Sequence, residues 1–293
     1  MAWWQWGDAQ AAHVVVCAHG LSRQGRDFDE LARALLRRAK EMGRSLKVVC
    51  PAVVGRGQSD WLTDPMGYQF TTYVGDMLAL LAQLHQQAAL DRLDWVGTSM
   101  GGIIGMSLAG MPGLPLPRPI SHLVLNDVGP AIEWAALERI GEYLGQSGTF
   151  FSVEQAAEVM RTISTGFGPH TAEQWLALSR PMLKPLPGGG FRLHYDPAIA
   201  VPYRQLTEEA SQQGEAALWQ LYDQMTAQTL VLRGADSDLL SADTAARMQS
   251  RGPRPQVAEF AGVGHAPTLV APDQLRVVLD FLLPGSDMNP KSP

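Results

Sequence analysis

The sequence predicts an α/β fold: a mostly parallel sheet flanked by helices, with one mostly helical segment inserted. Three observations predict it. Short β-branched runs end in glycine or proline, helical periodicity fills the stretches between them, and this alternation is interrupted only once. Parallel strands need crossover connections, so strand runs that alternate with helical patterns read as one sheet covered on both faces.

The first buried strand is 14–18 (VVVCA), ended by His19-Gly20, and the second is 47–50 (KVVC), ended by Pro51 and the glycines of GRGQS. Between them Phe28, Leu31, Leu35, Leu36, Ala39 and Met42 fall on one helical face. Asp27 and Glu30 read as a capping pair for that helix, and Gly43 as its terminator. A helix over 74–84 carries Met77, Leu78, Leu81 and Leu84 on one side, followed by the strand 93–96 (LDWV), a helix from Met100, and the strand 123–126 (LVLN). From 131 to 203 the pattern is mainly helical, rich in Trp134, Tyr143, Phe150, Phe151, Phe167 and Trp175, and broken by Pro181, Pro185, Pro187 and Gly188 to Gly190. It reads as an inserted helical cap. The α/β rhythm then resumes with a helix near 218–225, strands at 229–233 and 257–260, and a helix over 272–282. The expected organisation is a core of 1–130 and 204–284, a cap of 131–203, and a disordered tail of 285–293.

Composition narrows the function classes. An apolar share of 46% with 18% charged residues is that of an ordinary globular protein, and no apolar run approaches the length of a membrane span. The net charge of −6 comes with no basic cluster, which argues against nucleic-acid or anionic-membrane partners and favours a small neutral or apolar substrate. The opening residues MAWWQWGD lack the pattern of a secretory signal, so a cytoplasmic location is expected. Cys17 and Cys50 lie inside strand runs and read as buried reduced thiols. No metal-ligand spacing is present, and neither metal nor cofactor is expected.

Gly97-Thr98-Ser99-Met100-Gly101 follows one strand directly and precedes a helix, the context in which a G-x-S-x-G turn exposes a nucleophilic serine. A glycine-rich phosphate turn is the alternative, but neither GK[ST] nor G-x-G-x-x-G completes a nucleotide fingerprint. Serine needs a base to become nucleophilic. Of the seven histidines, His265 alone sits in an apolar, glycine-flanked loop (GVGHAP) after the final strand, at the sheet edge where ligands bind. His13, His85, His122, His170 and His194 read as structural or exposed, and His19 as ordering its own turn by a hydrogen bond.

The base needs a carboxylate to hold its tautomer. Asp236, Asp238 and Asp127 all follow strands and all remain open. Asp238 is favoured because the apolar pair Leu239-Leu240 should anchor it, whereas Asp236 lies at a turn crest and Asp127 precedes the chain's exit to the cap. The backbone amides of Leu21, after the first buried strand, and of Met100, at the helix start, are placed to serve as an oxyanion hole.

The segments AHGLSRQGRDF, VVGRGQSDWL, WVGTSMGG, LVLNDVGP, LRGADSDLL and GVGHAPTL together resemble the α/β-hydrolase superfamily, in particular its capped bacterial esterases. The resemblance spans almost the whole chain. It implies an α/β-hydrolase fold and a cofactor-free hydrolase with Ser99 as nucleophile, His265 as base, and the Leu21 and Met100 amides as oxyanion donors. Two departures stand out. Pro51 is followed by Ala52 where similar proteins carry aspartate, so a local hydrogen bond to the GRGQS loop is expected to be missing, and the acid loop reads G-x-x-S-D in place of G-x-x-D. The expected activity is hydrolysis of carboxylic esters through an acyl-enzyme, on medium-chain or aromatic esters and polyester oligomers. A lactonase, thioesterase or C–C bond hydrolase, or a slow-turnover receptor, is the alternative on the same scaffold.

Overall fold

The computed structural model describes residues 1–146 and 148–285. The elements in chain order are β1 (Trp3–Gly7), β2 (His13–Ala18), α1 (Asp29–Glu41), β3 (Lys47–Pro51), α2 (Phe70–Gln87), β4 (Arg92–Thr98), α3 (Met100–Gly110) and β5 (Ile120–Asn126). There follow α4 (Trp134–Tyr143), β6 (Thr149–Phe150), α5 (Val153–Ile163), α6 (Ala172–Ser179), β7 (Leu183–Pro185), β8 (Phe191–Leu193) and α7 (Ala200–Tyr203). The chain closes with α8 (Glu208–Gln224), β9 (Gln228–Gly234), α9 (Ala242–Ser250), β10 (Gln256–Phe260) and α10 (Pro272–Leu282). Seven strands form one sheet in the order β1-β3-β2-β4-β5-β9-β10, parallel except for β1.

Alternation within the buried strands sends side chains to two separate cores. Val14, Val16 and Ala18 of β2 pack with α2 and α3 on one face, and Val15 and Cys17 pack with α1 and α10 on the other. The expected buried thiols sit here: Cys17 and Cys50 are both free and buried. Strand β1 was not anticipated, because three tryptophans in five residues carry no β-branched signal. It is an antiparallel edge strand whose Trp4 and Trp6 reach one core while Trp3 reaches the other, a period of two.

Two local expectations are corrected. Asp27 and Glu30 do not cap α1: its N-cap is Phe28, with no side-chain bond, because a preceding single-turn helix capped by Gln24 already orders this entry. Asp27 binds Arg23 at 2.7 Å and Glu30 binds Arg33 at 2.5 Å. The helix expected near 218–225 begins at Glu208, where Thr207 caps it, and α9 lies in a stretch to which the sequence assigns no element. Gly43 does end α1, with φ of 63° and its amide on the Lys40 carbonyl.

The segment between β5 and α8 is not purely helical. Strands β6, β8 and β7 form a small antiparallel sheet, too short to register as alternation in the sequence. Several of its apolar residues serve its own small core of Ala157, Met160, Trp175 and Met182. The segment rests on the C-terminal ends of the large sheet's strands. The Gly264 amide donates to the Gly166 carbonyl at 2.7 Å, Gly57 to the His194 carbonyl at 2.8 Å, and the Arg23 guanidinium to the Leu178 carbonyl at 3.1 Å. Of the tail read as disordered, 286–293 lies outside the described residues.

Candidate active site

Strand β4 runs straight into α3 through Ser99, whose φ of 51° and ψ of −117° put it in a conformation that L-residues seldom adopt. Such a turn is held by its neighbours. The Ser99 amide donates to the Asn126 carbonyl at 3.0 Å, and the Asn126 side chain donates to Thr98 Oγ1 at 2.9 Å and to the Pro267 carbonyl at 2.8 Å. A methyl group on Gly97 would overlap the Gly101 backbone, and one on Gly101 would overlap the Ala18 carbonyl, so the spacing of the glycines follows from the sharpness of the turn.

His265 comes to this turn from the loop after β10. Its Nε2 stands 3.1 Å from Ser99 Oγ, and its Nδ1 stands 2.7 Å from Asp127 Oδ2. The Asp127 carboxylate is fully buried and accepts two further bonds, from the Gly234 amide at 2.8 Å and from the Ser237 hydroxyl at 2.6 Å. With Nδ1–H given to Asp127, the neutral ring presents a lone pair on Nε2 to the serine hydroxyl.

The structure does not bring Asp238 to the histidine. Asp238 points outward, about half exposed, and pairs with Arg139 at 2.7 Å. Leu239 and Leu240 do dock on the core as reasoned, but the residue they anchor is Ser237, whose Oγ accepts from both of their amides at 3.2 and 3.1 Å. That hydroxyl faces inward, so its neighbours Asp236 and Asp238 face solvent. Asp127, the competing candidate, lies one residue past β5 with φ of 55°. Aspartate tolerates that left-handed conformation better than most residues, and the Asn-Asp pair at a strand end was the available signal. Ser237 and Asn126 went unnoticed, since isolated polar residues beside a strand carry no spacing signature.

The two amides read as oxyanion donors lie on either side of the serine. A methyl group on Gly20 would sit 3.7 Å from Ser99 Cβ, which places the His19-Gly20-Leu21 turn against the elbow. Met100 opens α3. Neither the Leu21 nor the Met100 amide meets a backbone acceptor among the described residues. His19 orders the turn from inside the core: Nδ1–H donates to the Gly20 carbonyl at 2.7 Å, and Nε2 accepts from the Val53 amide at 2.9 Å. Burial pushes its pKa down to about 3, assisted by the charges of Arg56 and Arg23, so the ring is neutral. The GRGQS loop keeps a tie to the second strand although Ala52 replaces aspartate, because Ser59 Oγ donates to the Ala52 carbonyl at 2.5 Å.

The remaining histidines lie apart from Ser99. His13 and His122 bind the buried Asp94 at 2.7 and 3.1 Å, His85 Nδ1 accepts the Leu90 amide, and His170 bonds Thr268. Among the described residues no three His, Cys, Asp or Glu side chains are grouped to hold a metal ion, and no helix is long and apolar enough to cross a membrane.

Comparison with known proteins bears on the fold. Residues 15–277 match the model of the alpha/beta hydrolase family. A 3-hydroxybutyrate-oligomer hydrolase from Cupriavidus necator is 47% identical over 284 residues, covering 96% of this chain and 92% of that protein. The crystal structure of an alpha/beta hydrolase from Novosphingobium aromaticivorans superposes with a TM-score of 0.78 at 34% identity, covering 97% of this chain and 93% of that one. A Mycobacterium tuberculosis esterase shares the fold at 20% identity, with a TM-score of 0.68 over 96% of this chain and 88% of that one.

Proposed function

The chain belongs to the alpha/beta hydrolase family, and on that premise we propose that it is a carboxylic ester hydrolase whose substrates are short linear oligoesters of a hydroxy acid. Ser99 is the nucleophile, His265 the general base, Asp127 the acid that orients it, and the Leu21 and Met100 amides the oxyanion hole. The observation that carries this reading is the continuous chain from Ser99 Oγ through the His265 ring to the buried Asp127 carboxylate. The substrate class is supported by the 3-hydroxybutyrate-oligomer hydrolase with which the chain shares 47% of its residues.

The chemistry follows from the donors and acceptors present. His265 Nε2 takes the Ser99 proton as Oγ attacks the ester carbonyl, and the carbonyl oxygen becomes an oxyanion met by the two amides. The imidazolium, stabilised by Asp127, gives its proton to the departing alkoxide, which leaves as the shortened oligomer's hydroxyl end. Water, activated by the same nitrogen, then attacks the acyl-enzyme and releases the acid. No cofactor is needed at any step.

The segment 131–203 acts in this reading as a cap. Its support is contact with the catalytic loop itself, through the Gly264 to Gly166 and His170 to Thr268 bonds on either side of His265. A cytoplasmic location accords with the two buried free thiols, which a reducing compartment preserves. The test is direct: purified protein incubated with dimers and trimers of 3-hydroxybutyrate should release monomer, and Ser99→Ala should lose at least about a thousandfold in rate. Hydrolysis of a thioester or lactone panel at much higher kcat/KM would redirect the substrate class while leaving the nucleophile in place.

A further inference from the structure

The motif GRGQS enters the fold as a loop after β3, and its arginine plays no part in the scheme above. Arg56 is fully buried. Its Nε donates to the Leu21 carbonyl at 2.8 Å, Nη1 donates to the Val54 carbonyl at 2.7 Å and to the Tyr73 hydroxyl at 3.1 Å, and Nη2 lies 3.7 Å from Met100 Sδ. The guanidinium also stands over the rings of Tyr73 and Tyr68, at 5.0 and 5.7 Å. All the oxygens it binds belong to neutral groups. Among the described residues Arg56 makes no ion pair, whereas the other buried guanidinium, on Arg233, reaches Glu259.

A buried cation without a direct carboxylate partner is costly to a fold, and arginine cannot relieve the cost by losing its proton. Here the charge touches Leu21 and Met100, the two residues whose amides flank Ser99. We propose that Arg56 is a positioning residue for ester hydrolysis, holding the Leu21 and Met100 turns in register and placing at them a positive charge that no carboxylate contacts directly. This rests on the assignment of those two amides as the oxyanion hole. The buried Asp196 carboxylate, held by the Tyr68 hydroxyl at 2.5 Å, lies across the tyrosine from the guanidinium and makes no direct pair with it, so the tetrahedral intermediate adds a negative charge near a cation that the resting enzyme leaves without a contacting carboxylate. The stabilisation therefore falls on the transition state more than on the bound ester and appears in kcat.

The experiment compares Arg56→Lys, Arg56→Met and Arg56→Ala with the parent. The assay is steady-state hydrolysis of a soluble ester, alongside affinity for an alkyl boronic acid, which forms a tetrahedral anion on Ser99, and inhibition by 3-hydroxybutyrate as a ground-state ligand. In Arg56→Met, kcat should fall by about a hundredfold, the scale set by loss of one oxyanion donor, while KM stays within about threefold. Boronate affinity should fall in step with kcat, product inhibition should not, and guanidinium should restore part of the Arg56→Ala rate where urea does not. If the Met and Ala variants fail to fold, Arg56→Lys decides by the same boronate comparison, since lysine keeps the charge but cannot span the Leu21 and Val54 carbonyls. A kcat near that of the parent, a loss confined to KM, unchanged boronate affinity, or equal rescue by urea would overturn the proposal. Ser99→Ala separates this from the reading beneath it: an active Ser99→Ala sinks the site itself, whereas a dead Ser99→Ala with full activity in Arg56→Met sinks only the role of Arg56.

Discussion

His19 ties the stability of the fold to pH. The ring is fully buried, its Nε2 lone pair is committed to the Val53 amide, and its Nδ1–H to the Gly20 carbonyl. Protonation would set an N–H against the Val53 N–H in a place closed to solvent. The folded-state pKa is accordingly about 3, against an ordinary value of 6.5 in the unfolded chain. Between those values the unfolded chain holds a proton that the folded protein lacks, so stability is full above the unfolded value and falls as the pH drops through the window. One pH unit inside the window is worth about 1.4 kcal/mol, and going from pH 7 to pH 5 removes about 2 kcal/mol. The assay is urea unfolding of the parent and of His19→Gln and His19→Asn at pH 7, 6 and 5. At pH 7 each variant should be less stable by about 1–3 kcal/mol, for the disturbed bonds to Gly20 and Val53. The gap should then shrink by about 2 kcal/mol at pH 5, because the amides do not titrate and all other groups are shared. Parallel pH profiles for parent and variants would refute the reasoning.

Ser237→Ala removes one of the three donors to Asp127 and the acceptor for the Leu239 and Leu240 amides, so kcat should fall by about tenfold, the value of a hydrogen bond of roughly 1.4 kcal/mol to a charged group, with KM little changed, and the fold should lose about 1–3 kcal/mol of stability in urea unfolding. Asp94 lies at the opposite end of the strands from Ser99. Burial pushes its pKa up, but bonds from His122 and His13 and the charge of Arg92 outweigh that and hold it well below the ordinary carboxylate value of 3.8. Its contribution is therefore present above about pH 4 and lost as the pH falls below it. Asp94→Asn should cost about 3–5 kcal/mol at pH 7, with the gap to the parent narrowing below pH 4 in urea titrations and kcat unchanged. EDTA should leave ester hydrolysis unaffected, since the scheme uses no metal; loss of activity restored by zinc would contradict it.

How much of this could be read in the sequence depended on whether a residue's role left a pattern. The buried parallel strands announce themselves as β-branched runs stopped by glycine or proline, as in VVVCA before His19-Gly20. The elbow at Ser99 is legible because sterics demand glycine two residues to either side, and His265 because glycines bracket it in an apolar loop. The acid is different. A carboxylate can reach the same imidazole from either of two adjacent strands, β5 or β9, and the preference for Asp238 rested on which residue Leu239 and Leu240 would pin. Their amides pin the Ser237 hydroxyl, and the alternation of side chains along the loop then turns Asp238 outward. Long-range packing that no local pattern records decides such matters. The same holds for β1, whose partners on β3 lie forty or more residues away, and for the short β6-β8-β7 sheet.

In the proposed mechanism Ser99, His265 and Asp127 act as one catalytic chain. The most direct measurement is kcat for hydrolysis of a soluble ester at neutral pH by Asp127→Asn and Asp238→Asn, with folding checked by circular dichroism. An amide at position 127 would have to accept the His265 Nδ1 proton while its own NH2 faces donors, which favours the wrong tautomer; in the serine-protease precedent such a change costs about ten-thousandfold. A loss of that order is expected for Asp127→Asn, and a rate within about twofold of the parent for Asp238→Asn, whose partner is an exposed arginine. A folded Asp127→Asn that keeps most of its activity, or an Asp238→Asn that loses it, would rule out Asp127 as the triad acid.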